Sequence, residues 1–566
     1  MWKSGRRLNS IILLLVLSLF YKNAKAAFIS APLLTTNRFH YSQQDDLEVW
    51  KPTVFAHKIE SSNEEPVDAL DTRGIYVHIP YCRKRCSYCD FAIVPIGDKN
   101  KSERSLAGFH KMDESYRNAI TSEIDLLAQT LNSGDMKNIR LSSIYFGGGT
   151  PSLAPTETIQ SIIDHILSPE SPFDLEADAE VTIEMDPGTF TVEQLQELKQ
   201  IGFNRISLGV QSFNDTILEG IGRVHRRNDI EAAIQNIGTV FGSKPNYSLD
   251  LISGLPGLTL DLWNQTIQHA LSLKPSPNHL SIYDLQIEEG TSFAKWYPNR
   301  HEDDDDDGKN EDDDDDGNNE DDFNLRNDAD TNAFNSVIDI TAPSNVNIAN
   351  GFLPLPTAEQ CASMYRHASE YLRSNGFEHY EISSYARIKD TAQEPNANGK
   401  YESHRSKHNQ IYWKVDGEWF AVGLSATSFM AGKRFARPRM MADYFSWVSE
   451  QSILLQKEGL SQQRIDWMPS YGNSEDDAEV KEEMLLDTIL TRLRTKEGLD
   501  LNWIKAQDDG DKLLDCIRKG SELGVQLELA QFLPMEGDDE GTLRLNDPDG
   551  FLFSNSIISS IFAELP

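Results

Sequence analysis

The sequence predicts an α/β fold whose core is a parallel sheet curved into a partial (β/α)6 TIM-like barrel. Three observations predict it. Six short apolar stretches alternate with helical stretches between residues 75 and 285, a pattern that builds parallel sheets with right-handed crossovers. Turn residues, chiefly Gly and Pro, punctuate the pattern. Glycines and polar residues collect where the strands end, the edge at which barrels of this kind carry their sites; core packing gives no reason for them there.

The first strand is marked by the alternation of Ile75, Val77 and Ile79, and Pro80 ends it. Residues 107–131 have helical spacing, with Ile120, Ile124, Leu127 and Leu131 as the inward stripe. Residues 141–146 form a strand that runs into Gly147-Gly148-Gly149-Thr150-Pro151, and 156–167 are helical. The next strand, 180–185, stops at Asp186-Pro187-Gly188, and the helix 192–201 stops at Gly202. A fourth strand, 205–210, ends at Gln211; helices follow near Thr216 and over 230–240. Strand five, 247–252, leads to Gly254-Leu255-Pro256-Gly257, then helix 260–273 and strand six, 279–285. Beyond the barrel, 355–375 and 479–494 read as helices, the latter with Met484, Ile489 and Leu493 inward, and 543–562 as a small hairpin and a final helix.

The chain has 566 residues, enough for two or three domains, and a formal charge of −36 that argues against a nucleic-acid partner. Residues 302–322 hold 15 acidic residues and one Lys, so −14 of this charge is local and −22 belongs to the rest. Residues 299–350 are expected to be a solvated, disordered insertion, too charged and too poor in apolar residues to fold. At the N-terminus, Lys3, Arg6 and Arg7 precede an apolar run over 11–20, a signal-peptide pattern too short for a comfortable membrane span. Residues 29–44 contain Arg38, Ser and Thr but no acid, as transit peptides do. The boundaries that follow are 1–27 signal peptide, 28–70 transit-like linker, 71–298 barrel, 299–350 insertion, 351–470 a barrel-completing region and 471–566 a C-terminal domain. No stable membrane span is expected in the mature protein.

Five cysteines in a chain this long make no disulfide framework. Cys361 and Cys516 stand alone, as packed or free thiols. Cys82, Cys86 and Cys89 form a CxxxCxxC triplet in the loop after the first strand. Three thiolates there can reach one inorganic centre: an iron–sulfur cluster with one iron left open, or a zinc site, which usually wants a fourth Cys or His.

CxxxCxxC after a strand resembles the radical S-adenosylmethionine (SAM) superfamily, and YVHIPYCxxxCxYCDF at 76–91 resembles its coproporphyrinogen oxidase-like branch and, within it, the HemW-type haem chaperones. The resemblance implies a [4Fe-4S] cluster on Cys82, Cys86 and Cys89, with SAM on the fourth iron and a reductant to supply an electron for SAM cleavage. It places the Gly148-Gly149-Thr150 loop, Glu184, Gln211, Arg223 and Asp250 at SAM, and Tyr76 and Tyr88 beside the cluster. It also implies a C-terminal winged-helix-like domain. The run His408-Asn409-Gln410-Ile411-Tyr412-Trp413 matches the family's HNxxYW signature. His408 is expected either to ligate haem iron or to order the open side of the barrel through hydrogen bonds. Thr427 stands where relatives commonly carry His, and Phe91 where the oxidases carry a further Cys. The expected function is that of a haem chaperone, with haem and haem-accepting proteins as partners; the alternative is an oxygen-independent coproporphyrinogen III oxidase. AAFISAP, at 26–32, resembles the cleavage motif of plastid presequences in algae with complex red plastids, so the expected location is the plastid stroma, with mitochondrion or cytoplasm as alternatives.

Overall fold

The computed structural model describes residues 73–97, 103–133, 138–298, 352–389, 403–415, 417–430, 432–458, 478–534 and 540–566. The two targeting segments and the acidic insertion lie outside them.

The six expected strands are present and lie side by side in chain order. They are β1 (Arg73–Ile79), β2 (Ile139–Gly148), β3 (Phe173–Met185), β4 (Arg205–Gln211), β5 (Tyr247–Ser253) and β6 (His279–Asp284). Each pairs in parallel with the next. Strand β3 starts seven residues earlier than the sequence predicts, because Phe173–Leu175 pairs with the start of β2 before a register shift. The helices Thr156–Ile166, Val192–Ile201, Arg227–Phe241 and Leu260–Ser272 turn buried faces to the sheet. Ile75, Val77, Ile144, Phe146, Ile183, Leu208 and Leu249 are fully enclosed, which is why the strands read as short apolar runs.

The sheet is wider than six strands. Five more extend it: β7 (Phe377–Glu381), β8 (Ser384–Arg387), β9 (Glu418–Val422), β10 (Thr427–Met430) and β11 (Lys433–Ala436), giving the order β11-β10-β9-β1-β2-β3-β4-β5-β6-β8-β7. Strand β9 joins β1 in parallel, while β8 joins β6 antiparallel. The barrel therefore continues past both of its ends and stays open, with β11 and β7 as edges. The HNxxYW segment forms the short helix Lys407–Ile411, which lies against the start of β1. A Cβ on Gly74 would sit 2.6 Å from Ile411 Cδ1 and 2.7 Å from Ser143 Oγ, so a side chain there would displace both.

The C-terminal unit is a three-stranded antiparallel sheet packed by helices. Its core includes Ile489, Leu493, Leu499, Leu514, Leu543 and Ile558. The expected hairpin within 543–562 is corrected: Thr542–Leu545 pairs with Ala530–Leu533, which precedes it, and 549–562 is helical.

The two ends flanking the insertion are joined. Trp296 stacks on Phe352 at 4.6 Å, and the Tyr297 hydroxyl donates to the Leu353 carbonyl at 2.7 Å. The chain leaves and re-enters the fold at one place, so the closure entropy of a shorter connection changes slowly with its length. Deleting 302–322 should leave the unfolding free energy within about 1 kcal/mol of the parent; a larger fall in a denaturant titration would refute this.

Candidate cofactor site at the strand ends

The cysteine loop is tied down at both ends. The Pro80 carbonyl accepts from Val94 N at 2.7 Å, and the Cys82 carbonyl accepts from Ile96 N at 2.7 Å. Gly149 N and Thr150 N, just past β2, donate to the carbonyls of Ile79 and Tyr81 at 2.8 and 2.6 Å. Gly148 sits at φ +116°, and a Cβ on Gly149 would lie 2.7 Å from the Pro80 and Tyr81 carbonyl oxygens, so neither position accepts a side chain. This join places the Thr150 hydroxyl 3.3 Å from Cys82 Sγ.

Cys82, Cys86 and Cys89 are half-buried and free of disulfides. Burial pushes the Cys82 thiol up to about 12 and the Cys89 thiol up to about 11. These thiols stay protonated at neutral pH until a cation binds, because a coordinated thiol is deprotonated outright. Among the described residues no three His, Cys, Asp or Glu side chains converge closely enough to hold a single metal ion.

Beside the loop, Arg223 Nη1 lies 3.7 Å from Cys86 Sγ, while Nη2 donates to the Gly209 carbonyl at 2.7 Å and pairs with Asp186. Burial raises the Asp186 carboxyl, with Arg223 opposing it. Gln211 closes β4 at φ +67°, a left-handed conformation uncommon outside glycine. The amide of Gln211, Arg223 Nη2 and Asp186 Oδ1 all stand 3.3 Å from the position a Cβ on Gly209 would take. Donors and an acceptor thus converge beside the cluster loop, as a zwitterionic ligand requires.

A second set of residues lies inside the barrel. A cavity of about 140 Å³ is lined by Tyr76, Phe91, Tyr145, Gly148, Glu184 and Asp250, with Tyr283, His279, His408 and Thr427 among its other walls. Glu184 accepts from the Tyr145 hydroxyl at 2.8 Å and from Gly148 N at 3.1 Å. Desolvation nevertheless pushes its carboxyl up to about 7, and that of Asp250, bonded by Ser207 Oγ at 3.0 Å, up to about 6. Tyr76 stacks on Tyr145 at 6.1 Å and meets His78 Nδ1 at 3.3 Å.

The candidate residues therefore separate into two groups. Cys82, Cys86, Cys89, Tyr88, Gly149, Thr150, Gln211 and Arg223 surround the loop, where Tyr88 packs on Phe293 at 6.3 Å. Tyr76, Gly148, Glu184, Asp250 and His408 line the cavity. Tyr76 shares its cavity with Phe91, two residues past Cys89. His408 is buried and hydrogen-bonded. It is 2% exposed, its Nδ1 lies 2.8 Å from Ser143 Oγ and its Nε2 2.8 Å from the Tyr412 hydroxyl. Burial holds it neutral, down to about 3. Both ring nitrogens are engaged, and the side chain packs at the opposite end of β1 from the cysteines. Gly74, beside it, and Ile79 are five residues apart, roughly 16 Å of strand. Sequence reasoning missed Asp186 as a site residue, although its place at a strand end in Asp-Pro-Gly was visible; Tyr145 and His279 carried no signal.

Two outcomes follow from this geometry. Replacing any one of Cys82, Cys86 or Cys89 by Ala should abolish the brown chromophore, whereas Cys361→Ser and Cys516→Ser should keep it. Full iron and sulfide content in the triple variant would overturn the ligand assignment. The second outcome concerns pH. Glu184 and Asp250 have native pKa values near 7 and 6, above their ordinary 4.5 and 3.8, so the native state binds the extra protons. Their contribution to stability is full below about pH 4 and is lost as pH rises through 7. Ligand-free Glu184→Gln/Asp250→Asn should therefore lose less Tm than the parent between pH 5 and pH 8; parallel profiles would refute this.

The radical SAM superfamily model matches residues 76–270. The chain is 32% identical to the haem chaperone HemW of Synechocystis, over 87% of this chain and 96% of that protein. It is 29% identical to HemW of Bacillus subtilis, over 67% of this chain and 77% of the relative. It is also 29% identical to the mouse mitochondrial radical SAM domain-containing protein 1, over 64% and 61%. Among solved structures, the Escherichia coli coproporphyrinogen III oxidase HemN, a radical SAM enzyme, shares the fold with a TM-score of 0.57 at 19% identity, covering 87% of this chain and 91% of that one. Radical SAM membership implies SAM and a [4Fe-4S] cluster, and the residues present fit both. Cys82, Cys86 and Cys89 would hold the cluster; Gly149, Gln211 and Arg223 would orient SAM, whose bound form supplies a reducible sulfonium. This chain belongs to the HemW family of radical SAM proteins.

Proposed function

We propose that this protein binds haem and passes it to acceptor proteins, with the cluster and SAM in a supporting role. Phe91, which stands where the oxidases carry a further Cys, carries the choice over porphyrinogen oxidation. It forms part of the wall of the barrel cavity, beside Tyr76, Gly148 and Glu184. The likeness to HemW of Synechocystis along nearly its whole length supports the same reading; the likeness to HemN is one of fold alone.

The place of His408 argues against an axial role for it. Haem is then held by other groups, and the HNxxYW helix serves to close the barrel. We propose residence in the plastid stroma, on the bipartite character of residues 1–70 and on an alignment that runs further along the cyanobacterial relative than along the mouse mitochondrial one. Import of a fusion carrying residues 1–70 into isolated plastids tests this; exclusive mitochondrial import would refute it. No helix among the described residues is long and apolar enough to cross a membrane.

The purified, anaerobically reconstituted protein should bind haem and leave coproporphyrinogen III unconverted. Formation of protoporphyrinogen with SAM consumed in proportion would overturn the chaperone reading. His408→Ala should leave the Soret band of bound haem unmoved while costing about 2–4 kcal/mol of stability, since Ser143 and Tyr412 lose a buried partner and a cavity opens. A shifted Soret band would restore His408 as a ligand.

A further inference from the structure

The HNxxYW helix reaches the glycine loop through stacked rings. Along β2, Ser143, Tyr145 and Gly147 stand at alternate positions and so share one face. His408 is held from both sides, with Nδ1 2.8 Å from Ser143 Oγ and Nε2 2.8 Å from the Tyr412 hydroxyl. Its ring stacks on that of Tyr145, with 4.9 Å between centroids and 20° between planes. Tyr145 also stacks on Tyr76, at 6.1 Å and 19°. Gly147 leaves room for this group. A Cβ there would lie 2.9 Å from each tyrosine ring and 3.1 Å from Glu184 Oε1, so a side chain would displace them. The Tyr145 hydroxyl donates to that same Oε1 at 2.8 Å, while Gly148 N donates to Oε2 at 3.1 Å. Both oxygens of Glu184 are thus fixed, one by the glycine loop and one by a ring that leans on His408.

We propose that Tyr145 and His408 are positioning residues for SAM: His408 fixes the ring of Tyr145, and the Tyr145 hydroxyl sets the Glu184 carboxylate where the SAM amino group is received. The inference rests on the reading that Glu184 faces SAM. It gives the HNxxYW signature a task at the SAM site that needs no contact with SAM or with haem. A carboxylate held at both oxygens presents its remaining lone pairs in one direction, and a charged hydrogen bond depends on that direction. Desolvation pushes the Glu184 carboxyl up, and the hydrogen bond from Tyr145 opposes it. The hydroxyl therefore also favours the ionised form, which is the form that pairs with a cationic amine.

The test uses SAM itself and the anaerobically reconstituted protein. SAM affinity is read by equilibrium titration, and its arrival at the cluster by the change it makes in the EPR spectrum of the reduced cluster. Tyr145→Phe removes one oxygen atom and keeps the stack; it should bind SAM roughly tenfold more weakly, the scale of one hydrogen bond to a charged group. His408→Ala removes the platform and should weaken SAM binding to a similar degree. In the Tyr145→Phe background it should add nothing, because both changes act through one hydroxyl. His408→Phe keeps a ring against Tyr145 and should hold SAM within about twofold of the parent, as stacking requires. Iron and sulfide content should match the parent throughout. Parent-like affinity in Tyr145→Phe would overturn the proposal, and so would additive losses in the double variant. His408→Phe as weak as His408→Ala would overturn the role of the His408 ring. Glu184→Gln separates the inference from its premise: unchanged SAM affinity there removes both, whereas weakening in Glu184→Gln alone overturns only the positioning. If His408→Ala does not fold, Tyr145→Phe and Glu184→Gln decide.

Discussion

The hydrogen bonds from Gly149 and Thr150 to the carbonyls of Ile79 and Tyr81 join the end of β2 to the chain leaving β1. The join needs glycine, because a Cβ on Gly149 would lie 2.7 Å from the Pro80 and Tyr81 oxygens, which Val94 N and Thr150 N bond. Without it the cysteine loop would have no fixed height above the sheet, and Thr150 would not meet Cys82. With it, the thiols stand over β3 and β4, within reach of Arg223, and the polar cluster around Gly209 faces them. The site is thus set by backbone geometry at two adjacent strands before any side-chain chemistry enters.

Electrostatics then divides the interior. Around the cysteines, Arg223 sits against Asp186 and beside Cys86, so negative charge arriving with a cluster meets a cation already in place. Deeper in the barrel the balance is reversed. Glu184 and Asp250 have hydroxyl and amide donors but form no ion pair among the described residues, and desolvation pushes both carboxyls up toward neutrality. The cavity between them has His408, Asn409 and Tyr412 of the HNxxYW segment in its wall. That helix is held by buried groups: the Ser406 hydroxyl donates to Glu180 at 2.9 Å, and Asn409 Nδ2 donates to the Tyr380 hydroxyl at 2.9 Å. A segment so satisfied internally has little left to offer a metal.

Much of this protein was determined by its sequence alone. The alternation of apolar strands and helices, the cysteine triplet and the glycine loop are local patterns, and local spacing is what a sequence displays directly. Five of the six core strands and most helix ends lie within a few residues of where the pattern places them, β3 being the exception at its start, since Gly202 and the Thr and Asn caps act over one turn. The tertiary structure alone decided which distant residues meet. Asp186 and Arg223 are 37 positions apart, and Ser143 and His408 are 265 apart. The division of the site into a cluster rim and an inner cavity, the flanking strands β7–β11 and the buried seat of His408 all depend on such pairings. Periodicity assigns a residue to a face of its own element; it carries no information on which element that face will meet.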